Sequence, residues 1–321
     1  MTGAETSPPS PFHSGERLLQ ERLGLGDRMA AIGPKAILPR LTPQLRDFFA
    51  ILPFAIVGTV DDTEEGSASP WVSVVHGPAG FITCPDPTRL SLSAKLAYDD
   101  PAAAGVVEGA AVALLGICPH TRRRNRVNGR IEAVDGRGFE VSVAQAFGNC
   151  PRFISPRRMD ADMPRASERS PAHSVVLSGS LDAASRALIS RSDTFFVSSF
   201  IEARDAGASD CPARQVDVSH RGGEPGFVAI ERQDTLLIPD FAGNRYFNTL
   251  GNFVLNPVAG LLFIDFATGD MLHLTGTVEF PARAGPRWRG HPPFAEAERF
   301  WRFTPRKTVM RHAALPLVPT D

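Results

Sequence analysis

Two stretches, "ALLGICPHTRRRNRVNGRIEAV" (Ala113–Val134) and "GLLFIDFATGDMLHLTGTVEF" (Gly260–Phe280), decide how this chain folds. At a constant offset of 147 residues, Leu114 meets Leu261, Ile117 meets Ile264, Thr121 meets Thr268, Gly129 meets Gly276 and Glu132 meets Glu279. Each copy reads as an apolar strand, a polar turn and a second strand, with a glycine late in the second strand where a bulge or close backbone approach is expected.

The repeat extends upstream. "LTPQLRDFFAILPFAIVGTV" (Leu41–Val60) parallels "LDAASRALISRSDTFFVSSF" (Leu181–Phe200). Thr42 and Asp182 stand where an N-cap belongs, and Pro43 suits a first helical turn. "WVSVVHGPAGFI" and "VDVSHRGGEPGFVAI" follow, each a strand, a Gly/Pro turn and another strand. Many short strands with such turns predict a mainly β chain: two tandem antiparallel split β-barrels with short flanking helices, packed as an intrachain pseudo-dimer. The expected boundaries are an N-terminal arm at 1–40, a first barrel at 41–154, a Pro/Ser-rich linker at 155–174 and a second barrel at 175–321.

Composition bounds the function classes. The 321 residues carry a formal net charge of −1, with 43% hydrophobic and 21% charged residues. That is enough apolar material for two cores, with no global field to attract nucleic acid or a membrane surface. No apolar run reaches the roughly 20 residues that span a bilayer. "MTGAETSPPSPFHSGE" lacks a signal-peptide pattern and reads as a disordered lead on a cytoplasmic chain. Cys84, Cys118, Cys150 and Cys211 each precede a proline and show no metal-ligand spacing, so reduced, packed thiols and no metal are expected.

The chemical question lies in "PDFAGNRYFNTLGN" (Pro239–Asn252), which gathers small hydrogen-bonding groups around one arginine at a strand exit. Gly243, Asn244, Arg245, Asn248 and Thr249 would suit a phosphate at a helix start, and equally an ordinary helix cap beside a solvated arginine. Upstream, "HTRRRNRVNGR" crowds five arginines on one hairpin, with Arg124 and Arg126 on one strand face. They would point at an anion or simply charge a strand edge. "FHSGE" places His13 and Glu16 in the arm, as a lid or as surface.

The run "LLIPDFAGNRYFNTLGNFVLNPVAGLLFIDFATGDMLHLTG", with "FGNCPRFI", "FHSGE" and "RFWRFTPRKTV", resembles the FMN-binding split-barrel family related to pyridoxamine 5′-phosphate oxidase, in a tandem form. The resemblance implies FMN between two barrels. One barrel would supply Ser219, His220, Arg221 and Gly222, then Ile238, Pro239, Asn244, Arg245, Asn248 and Thr249. The other would supply Arg124 and the segment Gln145 to Asn149. The family carries adjacent basic residues where this chain aligns Asn248 and Thr249, and Arg245 is the residue that would restore the charge. At the repeat offset Arg245 falls on Tyr98, followed by Asp99 and Asp100, whose carboxylates would repel phosphate. One FMN per chain is therefore expected.

The resemblance further implies an FMN-dependent oxidoreductase acting on a small molecule, with reducing equivalents from NAD(P)H or a partner reductase and with room for a homodimer. A non-catalytic flavin or haem binder is the alternative. No catalytic residue is identified; His220 is the candidate for proton exchange.

Overall fold

The strands beginning at Phe54 and Thr194 are mostly apolar and are buried at nearly every position, because both of their faces are covered. In the computed structural model, which describes residues 10–64, 67–160, 173–177, 179–202, 213–281, 292–315 and 318–320, the chain is mainly β. Its helices are α1 (Ser14–Arg22), α2 (Gly26–Ala36), α3 (Pro43–Ala50), α4 (Ala183–Arg191) and α5 (Asn248–Leu255). The strands of the first half are β1 (Phe54–Asp61), β2 (Ser69–His76), β3 (Ile82–Asp86), β4 (Arg89–Leu92), β5 (Ala111–Cys118), β6 (Arg123–Val134) and β7 (Phe139–Gly148). After the short β8 (Arg158–Asp160) and β9 (His173–Leu177), the second half contributes β10 (Thr194–Ile201), β11 (Gln215–Gly222), β12 (Ala229–Ile230), β13 (Leu236–Phe241), β14 (Val258–Ile264), β15 (Met271–Glu279), β16 (Ala297–His312) and β17 (Val318–Thr320).

Two antiparallel sheets carry the fold. The first has the order β2-β1-β5-β6-β7-β4-β3, and the second has β11-β10-β14-β15-β16-β13-β12, with β9 added on β16. The two orders are the same path, so the sequence repeat is also a repeat of connectivity. Thr42 and Asp182 cap α3 and α4 as expected, accepting from the backbone N–H groups of Leu45 (3.3 Å) and Ser185 (2.8 Å).

Strand alternation sorts the apolar side chains into three cores. Ala55, Val57 and Leu114 fill the first half, and Phe195, Val197 and Leu261 fill the second. Their neighbours Phe54, Ile56, Leu115, Phe196, Val218 and Leu262 point the other way and form a shared core between the halves. At about 1.5–3 kcal/mol for each large apolar side chain buried, this shared layer fixes one half against the other.

The repeated glycines have a packing reason. The ladder shifts register at Gly129 and again at Gly276. A Cβ there would lie 1.9 Å from the Ser142 carbonyl oxygen or 2.1 Å from that of Thr304, so only glycine lets the bulged backbone approach.

Two expectations are revised. The segment from Ser10 is no loose lead: α1 and α2 pack into the body, with His13, Glu16 and Gln20 buried. At the end of the expected linker's first part, β8 pairs with β17, while 161–172 lies outside the described residues. Cys84, Cys118 and Cys150 are free thiols, and Cys211 lies outside the described residues. Among the described residues no helix is long and apolar enough to cross a membrane.

Candidate functional site

The turn between β13 and α5 holds Arg245 (φ 67°) and Phe247 (φ 63°) in the left-handed region, with the Asn244 side chain accepting from the Tyr246 N–H at 3.1 Å. Such backbone costs of order 1 kcal/mol or more per residue and tends to cluster at functional sites. Its effect here is to aim the start of α5 into a solvent-open cleft. Asn248, Thr249 and Leu250, the first three residues of α5, all line that cleft. Their backbone N–H groups have no intrahelical acceptor, and the helix dipole adds positive potential.

The cleft lies between the halves. The first half contributes Arg124, Arg126, Asn149, Cys150, Arg152 and Phe153. The second contributes β11 from Ser219 to Gly222, the end of β13 with its turn, and the start of α5. Of the residues expected at the site, Ser219, His220, Arg221, Gly222, Pro239, Asn244, Arg245, Asn248, Thr249, Arg124 and Asn149 come together here. Two do not. Ile238 is fully buried in the core of the second half, because adjacent strand positions face opposite ways and Pro239 takes the cleft side. Gln145 instead donates to the Pro11 carbonyl at 3.0 Å and accepts from Asn128 at 3.2 Å, tying down the N-terminal segment.

Arg126, which shares a strand face with Arg124, is the buried member of the arginine hairpin. It is only 4% exposed. Nη1 reaches Asp217 Oδ1 (2.5 Å) and Asn248 Oδ1 (3.0 Å), Nη2 donates to Ser219 Oγ (2.6 Å), and the guanidinium sits over the Phe147 ring. Thr249 Oγ1 donates to Ser219 Oγ at 2.9 Å. Asn248 and Thr249 therefore do not cap α5; they are its first two residues and lock it to Arg126 and β11. The strand alternation that set Arg124 and Arg126 on one face was the available signal.

Arg124 sits differently. Nε donates to the Cys150 carbonyl (2.8 Å), Nη1 to His220 Nδ1 (2.7 Å) and to the His220 carbonyl (3.3 Å), and Nη2 to the Arg152 carbonyl (3.4 Å). All of these acceptors are neutral, and among the described residues no carboxylate pairs with it. Burial, with Arg126 and Arg221 nearby, pulls its pKa down to about 10. Because a guanidinium cannot accept, His220 Nδ1 must be the acceptor and the ring proton must sit on Nε2. Burial first, then Arg124, Arg157 and Arg221, hold the pKa of His220 well below its ordinary value. An imidazole so placed stays neutral and is poorly suited to take up a proton, which argues against the proton-exchange role.

Arg245 is not left free either. Both of its terminal nitrogens fork onto Glu298, which raises its pKa, and at this position its charge is already partnered. The positive character of the cleft comes from elsewhere. Four further lining arginines, Arg124, Arg126, Arg152 and Arg221, face one lining carboxylate, Asp240, itself held by Arg221 at 2.7 Å. Three buried side-chain nitrogens of the lining, Arg126 Nε, Arg221 Nε and Asn149 Nδ2, have no acceptor. The surplus around the cleft is one of donors.

The corresponding place on the other sheet is closed. In the matched ladders Ser73 stands where Ser219 does, and His273 where Arg126 does. Ser73 donates to Asp100, and the buried Arg311 is held by Asp100 Oδ2 and Asp99 Oδ1, each at 2.8 Å. A three-residue 3₁₀ turn, Ala103–Gly105, replaces the helix. The chain's own carboxylates supply the negative charge there.

No family model matches the chain, and no curated protein matches it.

Proposed function

We propose that the chain is an FMN-dependent oxidoreductase of the pyridoxamine 5′-phosphate oxidase-like kind, its two sheets acting as tandem split barrels around one flavin. The observation that supports this best is the donor surplus around the cleft: a carboxylate-free Arg124 and the start of α5 line one space between the halves, and buried nitrogens without acceptors lie in residues of the same lining. An FMN phosphate fits the backbone N–H groups of Asn248 to Leu250, with Thr249 and Ser219 beside them. Arg124 and Arg221 would face the flavin ring system and favour negative charge on its reduced form. Bound FMN would supply two-electron redox chemistry, and the protein would supply orientation and electrostatics. The internal Asp99–Asp100–Arg311 cluster supports a stoichiometry of one. In this reading the substrate is a small molecule and the reductant is NAD(P)H or a partner reductase.

A second reading, a non-catalytic flavin carrier, draws on the neutral, arginine-capped His220: the cleft has no evident proton-exchanging imidazole. A haem carrier is less well supported. Ligation of iron through His220 Nε2 would put the proton on Nδ1, facing the Arg124 N–H.

The test is spectroscopic. The purified protein, reconstituted with FMN, should show a bound flavin band near roughly 450 nm that NADPH bleaches under anaerobic conditions if the chain takes electrons directly. Bound flavin that no nicotinamide or reductase can reduce favours the carrier; failure to bind FMN removes both readings.

A further inference from the structure

We infer that Glu16 is a positioning residue for the anion site: through Asn248 it holds Arg126 and the first turn of α5 in place, and its charge state sets how tightly the cleft grips a phosphate. The inference rests on the proposed phosphate site at the start of α5.

The geometry begins with one face of α1. His13, Glu16 and Gln20 share that face and are 5%, 3% and 2% exposed. Burying three polar side chains on a docking surface is costly unless each is matched. Each is matched on α5 or its leading turn: His13 Nε2 lies 2.9 Å from Asn252 Oδ1, Glu16 accepts from Asn248 Nδ2, and Gln20 Nε2 donates to the Tyr246 carbonyl at 3.2 Å. The helices meet at Gly15 and Gly251, where a Cβ on Gly15 would fall 2.3 Å from the Gly251 carbonyl oxygen. That close crossing lets a side chain as short as Glu16 reach under the first turn of α5.

From Glu16 the contacts run on without a gap. Asn248 donates to Glu16 with Nδ2 and accepts from Arg126 with Oδ1, and Arg126 continues to Asp217 and Ser219. Glu16 therefore selects which way the Asn248 amide faces, and the amide selects where the Arg126 guanidinium rests. Both residues line the cleft.

The groups facing Glu16 fix the sign of the electrostatic effect. Beside it at the start of α1 is His13, whose backbone N–H donates to Glu16 Oε2 at 2.9 Å, whose ring Nε2 stands 3.4 Å from the same oxygen, and whose Nδ1 accepts from the Gly15 N–H. From α5 comes Asn248, from β6 Arg126 and from β11 Asp217. Burial raises the Glu16 carboxyl to about 8, against the pull of His13 and Asn248. A phosphate arriving at α5 adds negative charge beside Asp217 and pushes that value higher. By linkage, the anion binds more tightly while Glu16 keeps its proton and more weakly once Glu16 ionises. The phosphate's own second ionisation, near pH 6, is largely complete below this window.

The experiment is the dissociation constant of FMN, read by flavin fluorescence quenching from pH 7 to 9.5, for the full chain and for Glu16→Gln. Wild type should weaken by about tenfold across the window, the loss that a one-unit rise in the bound-state pKa produces. Glu16→Gln should bind within about threefold of wild type at pH 7 and show no such fall. A purely structural glutamate would change affinity without changing the pH profile. Parallel profiles, or a wild-type profile that is flat while FMN still binds, overturn this inference alone. Absence of FMN binding by wild type at every pH overturns the proposed site and this inference with it. If Glu16→Gln does not fold, carboxyl-carbon NMR titration of Glu16 in the wild-type chain decides: its midpoint must rise when FMN is added, and an unmoved midpoint is fatal.

Discussion

Replacing Arg124 with methionine separates what the cleft needs from what the fold needs. The side chain is similar in length but carries neither charge nor donors. As a cation, Arg124 is held at a pKa of about 10, below its ordinary value, and this corresponds to roughly 3 kcal/mol of unfavourable environment at 1.36 kcal/mol per unit. Its two short hydrogen bonds, 2.8 Å to the Cys150 carbonyl and 2.7 Å to His220 Nδ1, are donated by a charged group and contribute about 1.5–3 kcal/mol each. The opposing terms largely offset, so Arg124→Met should lower unfolding free energy by no more than about 3 kcal/mol. Binding should respond differently, because no carboxylate among the described residues shares this charge. Losing one charge-assisted contact costs about 1.5–3 kcal/mol, a roughly 10- to 150-fold weaker FMN complex. The pair of assays is guanidinium denaturation and FMN titration on the same preparations. Unchanged affinity would refute the assignment of Arg124 to the anion. A collapse in stability with intact affinity in the folded fraction would show that the residue serves packing instead.

Other perturbations probe the remaining parts. Asp100→Gly removes a carboxylate from the buried Arg311 and should cost about 3 kcal/mol, and added phosphate should recover part of the lost melting temperature by entering the vacated place; a melting point indifferent to phosphate counts against the closed-twin interpretation. Gly129→Ala and Gly276→Ala each drive a Cβ into a carbonyl oxygen and should destabilise by about 2 kcal/mol or more in denaturant titrations, whereas Gly136→Ala, with open space around it, should be near neutral. His220 has a folded pKa depressed below its unfolded value near 6.5, so the unfolded chain binds the extra proton first. Stability should therefore fall as pH drops below about 6.5, and His220→Gln should flatten that slope in chemical denaturation at pH 5 to 7; an unaltered slope would place the proton uptake on other groups, such as His273.

The repeat was legible because strand alternation, capping and bulges all leave marks in sequence. Leu114 with Leu261, Thr42 with Asp182, and Gly129 with Gly276 each answer to a local requirement that both copies share. Most of the cleft lining was legible too, since it lies on two contiguous runs, Ser219–Gly222 and Pro239–Thr249. What stayed hidden depends on partners distant in sequence. Arg245 looked available until Glu298, fifty-three residues on, was seen to hold it. Arg126 read equally as edge charge or as an anion contact, because its partners lie 91 and 122 residues away. Glu16 contacts Asn248 across a separation of 232, and nothing in "FHSGE" announces that.

The central claim is that one cleft, and only one, holds a phosphate-bearing flavin. Titrating the flavin-free chain with FMN, with riboflavin as the phosphate-free control, tests it most directly. The account predicts one FMN per chain, displaced by inorganic phosphate, with riboflavin bound far more weakly. Equal affinity for the two flavins, two equivalents of FMN, or none would contradict it.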